Sequence, residues 1–163
     1  MGKARSYEVI EYRKKIMAEL CKSKEILKLL DASDIKHPED ILPFSKIYPH
    51  EFIPETIKET ERLICFEIRA DLDMRNKTLK ELTIWFFISC HQNAVPYFEN
   101  GRSFLWYDQV ACAIDGLFSD QNKLGIGKME LQSNAPYYPQ QKFKGRQLTF
   151  KVFDFYNGER YGK

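Results

Sequence analysis

Several signatures of enzymes, metalloproteins and membrane proteins are missing from this sequence of 163 residues. Its four cysteines form no C-x-x-C pair, so we expect neither a zinc ribbon nor a thioredoxin-type site. Its apolar runs are shorter than the roughly 18 residues that a membrane span requires, which predicts no membrane contact. The charged N-terminus precedes no unbroken apolar run of a leader peptide, so we expect free thiols and folding in a reducing cytoplasm.

An excess of charge of either sign is also missing. The chain has 25 basic and 23 acidic residues, a net charge of +2. Such a balance gives no strong field for nucleic acid, and only the loop with Lys142, Lys144 and Arg146 indicates a basic stripe. A nucleic-acid-binding module is therefore an alternative and not the first prediction.

Histidine is scarce, which limits acid–base and nucleophilic catalysis. Of the three histidines, His91 directly follows Cys90, and on a strand the two side chains face opposite sides. A second possibility is a metal-dependent nuclease, with Glu67, Asp71 and Asp73 on one face beside Lys77 or Lys80. Solvated acidic residues around a hairpin tip are much commoner, so we predict no enzyme, no cofactor and no metal site.

The residues that are present predict one packed α+β domain, because the length suits a single domain and 44% of the residues are hydrophobic. Residues 1–33 have apolar side chains at helical spacing from about Ser6 onward, which predicts one long amphipathic helix. Residues 34–60 form a proline-rich arm, residues 61–156 the sheet and a second helix, and residues 157–163 a loose tail. The four prolines of the arm exclude a long helix or an inner strand, while its apolar residues indicate that it packs on the domain or on a neighbouring subunit.

Alternating apolar residues predict strands at about 63–71, 82–91, 128–133 and 146–155. The second helix is expected to begin near Ser103, after Asn100-Gly101. All four cysteines fall in these predicted elements and are expected to be buried. The order is helix, strand pair, helix, strand pair, which predicts a mainly antiparallel sheet with helices packed on one face.

Four segments resemble a known class of proteins. They read FIPET (52–56), YDQVACAIDGLF (107–118), LGIGKMELQSNAPYYP (124–139) and FKGRQLTFKVFDF (143–155). Over residues 50–156 the pattern resembles the tail-terminator or tail-completion minor structural proteins of long-tailed bacteriophages and phage-tail-like bacteriocins. The long first helix and the arm depart from the shortest members of that class, which brings neck and collar variants into consideration.

The resemblance implies a structural assembly protein and not an enzyme. Its members form a ring, commonly a homohexamer, that terminates the tail tube and joins it to the neck, collar or head. The implied partners are copies of the chain itself, the tail tube protein, the sheath and head–tail connector proteins, with DNA passing through the ring without specific binding. The implied location is the virion or the tail-like particle, assembled in the bacterial cytoplasm. A head-closure or connector protein is the nearest alternative.

In such a ring, strand edges, the hairpin tip and the arm are expected to contact neighbouring subunits. The predicted interface residues are Phe52, Ile53, Asp73, Met74, Arg75, Asn76, Lys77, Lys144 and Arg146.

Overall fold

A computed structural model of the chain describes residues 6–56, 61–72, 75, 78–125 and 127–155. Within these ranges the helices are α1 (Tyr7–Lys22), α2 (Lys24–Leu29), α3 (Pro38–Ile41) and α4 (Trp106–Phe118). The strands are β1 (Ile47–Tyr48), β2 (Arg62–Leu72), β3 (Leu79–His91), β4 (Pro96–Glu99), β5 (Arg102–Leu105), β6 (Glu130–Tyr137) and β7 (Phe143–Phe155). The main sheet has the order β1-β2-β3-β7-β6, and β4 and β5 form a separate hairpin.

One face of the main sheet, which we call the inner face, packs against the helices. Residues that are directly paired across strands share a face, and the row Phe66, Phe86 and Leu148 is fully buried. The ring of Phe86 lies 5.2 Å from that of Phe118 on α4, centroid to centroid. The opposite, outer face carries Cys65, Trp85 and Thr149 in alternating positions. The predicted α+β class and the mainly antiparallel sheet are confirmed.

The prediction of one continuous helix over residues 1–33 is wrong. Ser23 has an extended ψ of 112° and separates α1 from α2, and its hydroxyl accepts a hydrogen bond from the Ile26 N–H at 3.3 Å. A serine side chain that caps a new helix competes with continuation of the previous one. The break turns α2 toward α4, where the Trp106 indole N–H donates to the Leu29 carbonyl at 2.7 Å.

The proline-rich arm contributes the edge strand β1, which pairs in parallel with β2. Two parallel neighbours need a crossover connection of about a dozen residues, and residues 49–61 supply it. We call the described part of that connection, residues 49–56, the strap. The strap crosses the outer face: the Cys65 thiol donates to the Phe52 carbonyl, and the Gln140 side chain donates to the Pro54 carbonyl at 3.1 Å. Of the two predicted contacts of the arm, with its own domain or with a neighbouring subunit, the structure shows the first.

The second helix begins three residues later than predicted. Ser103 lies in β5, directly paired with Phe98, and α4 starts at Trp106. Asn100 and Gly101 form the turn of this hairpin with positive φ angles of 50° and 73°, the pattern expected of an Asn-Gly hairpin turn. On α4, Cys112 is exposed because it lies on the helix side away from Val110 and Ile114, so its predicted burial is wrong.

No helix in the described ranges has both the length and the apolar character that crossing a membrane requires. Cys21, Cys65 and Cys90 are buried and free, as predicted.

Candidate assembly interface

The predicted interface residues occupy separate parts of the molecule. Phe52 and Ile53 lie on the strap, whereas Lys144 and Arg146 lie at the start of β7 on the inner face. Arg75 is exposed beyond the end of β2. The other hairpin-tip residues predicted for the interface, Asp73, Met74, Asn76 and Lys77, lie outside the described residues. The strap and the β7 start are therefore two distinct surfaces.

An aromatic cluster surrounds the first of these surfaces, at the β1 edge of the sheet. The Phe52 ring stacks on Tyr48 with centroids 4.1 Å apart and planes 6° from parallel. His50 lies within 6.2 Å of both Phe44 and Phe52, centroid to centroid. We call Phe44, Tyr48, His50 and Phe52 the aromatic cluster; Ile41 and Ile53 add exposed apolar area near it.

Phe44 is the most exposed phenylalanine of this cluster, with 64% of its surface accessible. Its φ of 60° lies in the left-handed region, which bulky side chains rarely adopt. The turn is closed by the Phe44 N–H, which donates to the Ile47 carbonyl at 2.9 Å. From the sequence, Phe44 is predicted to pack on the domain or on a neighbouring subunit, like the other apolar residues of the arm. The available signal was the spacing of four between Phe44, Tyr48 and Phe52 where prolines exclude a long helix.

The second surface, at the start of β7, is basic, and a carboxylate of α4 neutralises part of its charge. The Arg146 guanidinium donates to the Asp108 carboxylate at 2.8 Å, and this contact raises the pKa of Arg146 further above its ordinary value. The Lys144 ammonium lies 5.0 Å from the centre of the Tyr138 ring, a cation–π distance. Tyr138 itself is 65% exposed. Both predicted basic residues thus lie beside aromatic and charged neighbours at one corner of the sheet.

A buried ion cluster lies at the opposite end of the strands. Lys80, only 2% exposed, contacts the Glu8 carboxylate of α1 and lies 3.9 Å from an Asp154 oxygen. The Tyr12 hydroxyl donates to Asp154, and burial together with this carboxylate raises the pKa of Tyr12 above its usual range. These contacts fix the first turns of α1 to the ends of β3 and β7.

This ion cluster also bears on the nuclease alternative. Lys80 belongs to the inner face, paired with Leu72 and Asp154, whereas Glu67 and Asp71 belong to the outer face. A lysine and carboxylates on opposite faces cannot share one metal-dependent site. Lys77 and Asp73, the remaining members of that pattern, lie outside the described residues.

Three of the four cysteines are buried inside the folded chain. Burial raises the pKa of Cys65 and of Cys90 to about 12, and that of Cys21 to about 11, so these thiols stay protonated at neutral pH. In the described part of the chain, one group of three potential metal ligands lies close together, His37, Glu39 and Asp40, and all three are exposed. Exposed acidic groups of this kind are common without a bound ion.

Comparison with known proteins assigns the family. A family model described as YomW matches residues 23–152, which span α2 to β7. The chain belongs to the YomW family. The family name resembles that of a phage-derived gene, which supports a phage origin and carries no information about a position in a particle. No curated protein matches the chain.

Proposed function

We propose that this chain is a structural assembly subunit of a phage tail or phage-tail-like particle. In this proposal, copies form a ring, commonly of six in the resembling class, that terminates the tail tube and joins it to the neck, collar or head. The subunit works through its shape and surface, without a catalytic centre. The phage origin supported by the family and the resemblance of residues 50–156 to tail-terminator proteins give this role its context.

The observation that carries the proposal is the exposed Phe44 on a left-handed backbone. Such a conformation costs a bulky residue on the order of 1–3 kcal/mol, and strain of this kind gathers at functional positions. Aromatic side chains also supply much of the binding energy at protein interfaces. A residue that destabilises the free subunit and exposes an aromatic ring is best explained by a partner that covers it.

The sheet edges restrict how copies can associate. β1 is two residues long, and β6 has a bulge between Leu131 and Ser133 and a proline at Pro136, which lacks an N–H donor. Short edges, bulges and prolines all oppose pairing with another strand. Contacts through side chains, such as the aromatic cluster, are therefore favoured over the strand-edge contacts that were predicted.

A head-to-tail contact between copies closes into a ring when the rotation between neighbours closes. The near-neutral net charge of +2 suits a channel through which DNA passes without specific binding. The expected partners are thus other copies of the chain, the tube protein below and the connector proteins above.

Light scattering after size exclusion, with negative-stain images of the purified chain alone and mixed with tube protein, tests the proposal. We expect closed rings that cap tubes and stop their growth. Phe44→Asn should leave the subunit folded, because asparagine tolerates positive φ, and should weaken ring formation. Phe98→Ala, at the 74% exposed Phe98 of the β4–β5 hairpin, is the matched control. Normal rings from Phe44→Asn, or no association on tubes by the unaltered chain, would contradict the proposal.

A further inference from the structure

Opposite edges of the main sheet carry opposite charge. Residues 31–40, which we call the acidic segment, contain the carboxylates Asp31, Asp34, Glu39 and Asp40 against one lysine. Residues 131–146, the part of the β6–β7 hairpin nearest its turn, contain Lys142, Lys144 and Arg146 and no acidic residue, whereas Glu130 and Asp154 lie at its far end. The acidic segment precedes β1, at one end of the strand order, and the hairpin forms the other end.

Asp31, at the start of the acidic segment, lies at the same level along the strands as Lys144. The Arg62 guanidinium donates a hydrogen bond to the Asp31 carboxylate at 3.4 Å. Arg62 is directly paired with Cys90 and Cys90 with Lys144, so these three residues form one row across β2, β3 and β7. A side-by-side copy therefore brings the Lys144 region of one subunit to the Asp31 region of the next without a shift along the strands. Neighbouring strands are about 4.8 Å apart, so two strand spacings, roughly 10 Å, separate Arg62 from Lys144 along this row.

Part of the charge in each region has no ion-pair partner among the described residues. Asp31 is paired with Arg62, and Arg146 with Asp108. Among the described residues, Asp34 and Asp40 form no ion pair with a basic group, and Lys142 and Lys144 form none with a carboxylate. The unpaired charges are thus negative at one edge and positive at the other.

Apolar area accompanies the charge on both sides. Ile41, 53% exposed, and Phe44 follow the acidic segment, and Tyr138 lies against Lys144. An interface that combines aromatic anchors with complementary charge gains specificity and register from the charges.

From this placement we infer that the acidic segment of one copy docks on the β6–β7 hairpin of the next copy, head to tail. The inference rests on the proposed function and names the contact by which the ring is built. The occupant of each surface is a second copy of this chain. Because added salt screens exposed charges, the contact is expected to weaken as the salt concentration rises.

Two charge-reversal variants test the contact. The variant K142E/K144E makes the hairpin acidic, and the variant D34K/D40K makes the acidic segment basic. We expect each variant alone to associate at least about tenfold more weakly than the unaltered chain, because like charges then face each other. An equimolar mixture of the two should recover association, since each contact again joins opposite charges. Association is measured by sedimentation velocity at 50 and 300 mM salt.

The variant K14E/K15E is the control, because it changes the net charge as K142E/K144E does, on exposed positions of α1. It should associate as the unaltered chain does, and thermal melts should show all three variants folded. Reversal variants that form rings normally, or a mixture that fails to recover, would overturn the inferred contact and leave the proposed ring standing. An unaltered chain that never associates, alone or on tubes, would overturn both.

Discussion

The two faces of the main sheet exclude water by different means. Helices cover the inner face, whereas the strap, eight residues with two prolines, covers only one end of the outer face. Yet burial raises the pKa of Cys65 under the strap and of Cys90 under the helices to the same value, about 12. Cys65 is 1% exposed and Cys90 is fully buried, so the extended strap covers its part of the sheet as closely as the helices cover theirs.

The other end of the outer face shows what the strap leaves open. Trp85 is half-buried there, Lys151 pairs with Glu81 at 2.8 Å, and Phe153 and Phe155 are each 52% exposed. Antiparallel sheets commonly keep one such solvated face. The difference between the two faces predicts how strongly each responds to substitution.

The largest contrast is expected between neighbours on β3. Phe86→Ala removes a ring packed between Phe66, Phe118 and Phe150 on the inner face. It should lower the free energy of unfolding by about 3–5 kcal/mol, the range for a large core truncation. Trp85→Ala, on the outer face, should lower it by about 1–2 kcal/mol, since less area is buried. Urea denaturation measures both, and equal losses would show that the outer face is packed as tightly as the inner.

The second contrast compares a buried ion pair with an exposed one. Lys80→Ala leaves Glu8 and Asp154 without their cation on the inner face. The loss should be roughly 2–3 kcal/mol, below that of a fully buried pair because Glu8 keeps some solvent contact. Lys151→Ala removes the half-exposed pair with Glu81 on the outer face and should change the free energy of unfolding by less than about 1 kcal/mol. Equal losses from the two substitutions would show that burial does not make the ion pairs of Lys80 more important for stability than that of Lys151.

The raised thiol pKa values predict loss of stability at alkaline pH. Unfolded cysteines ionise near pH 9, while native Cys65 and Cys90 stay protonated up to about pH 12. The unfolded state therefore releases protons first, and the free energy of unfolding should fall as pH rises through this window, by about 1.4 kcal/mol per pH unit for each thiol.

Substitutions separate the two faces in this experiment. Cys65→Ala and Cys90→Ala should each reduce the alkaline slope by the same amount, and Cys112→Ala, at an exposed position, serves as the control. A smaller change for Cys65→Ala than for Cys90→Ala would mean that the strap admits water.

The last comparison concerns one of the hydrogen bonds that hold the strap. The Tyr137 hydroxyl donates to the Glu51 carboxylate at 2.6 Å, and burial together with this contact raises the pKa of Tyr137 above its usual range. Tyr137→Phe should lower the free energy of unfolding by about 1 kcal/mol. It should also speed hydrogen exchange in residues 49–56, whereas Tyr138→Phe should leave both unchanged. Unaltered exchange in Tyr137→Phe would show that other contacts hold the strap.

The strands and the inner face could be predicted from the sequence because alternation of apolar residues such as Ile64, Phe66 and Ile68 is a local signal. The break at Ser23 could not, since a serine inside a helical pattern becomes a cap only when α2 has α4 to pack against. The β4–β5 hairpin was missed although Asn100-Gly101 signals one, because the apolar residues before α4 also fit a helix. The path of the strap depends on the parallel pairing of β1 with β2, which is a contact of the folded chain.

The candidate interface was predictable only in part. Lys144 and Arg146 stand out as a basic run, and Phe52 as an apolar residue in a proline-rich segment. The positive φ of Phe44 is set by a turn, and the residue types in the sequence do not predict that φ. The opposition of the acidic segment and the basic hairpin likewise follows from the strand order, which places β1, shortly after residues 31–40, and the β6–β7 hairpin at opposite ends of one sheet.

The proline and the bulge in β6 have a consequence for the subunit before it is used. A strand of this irregular shape is a poor template for stacking, because a second copy cannot pair with it regularly along its length. Concentrated chain should therefore resist growth into fibres through this edge of the sheet.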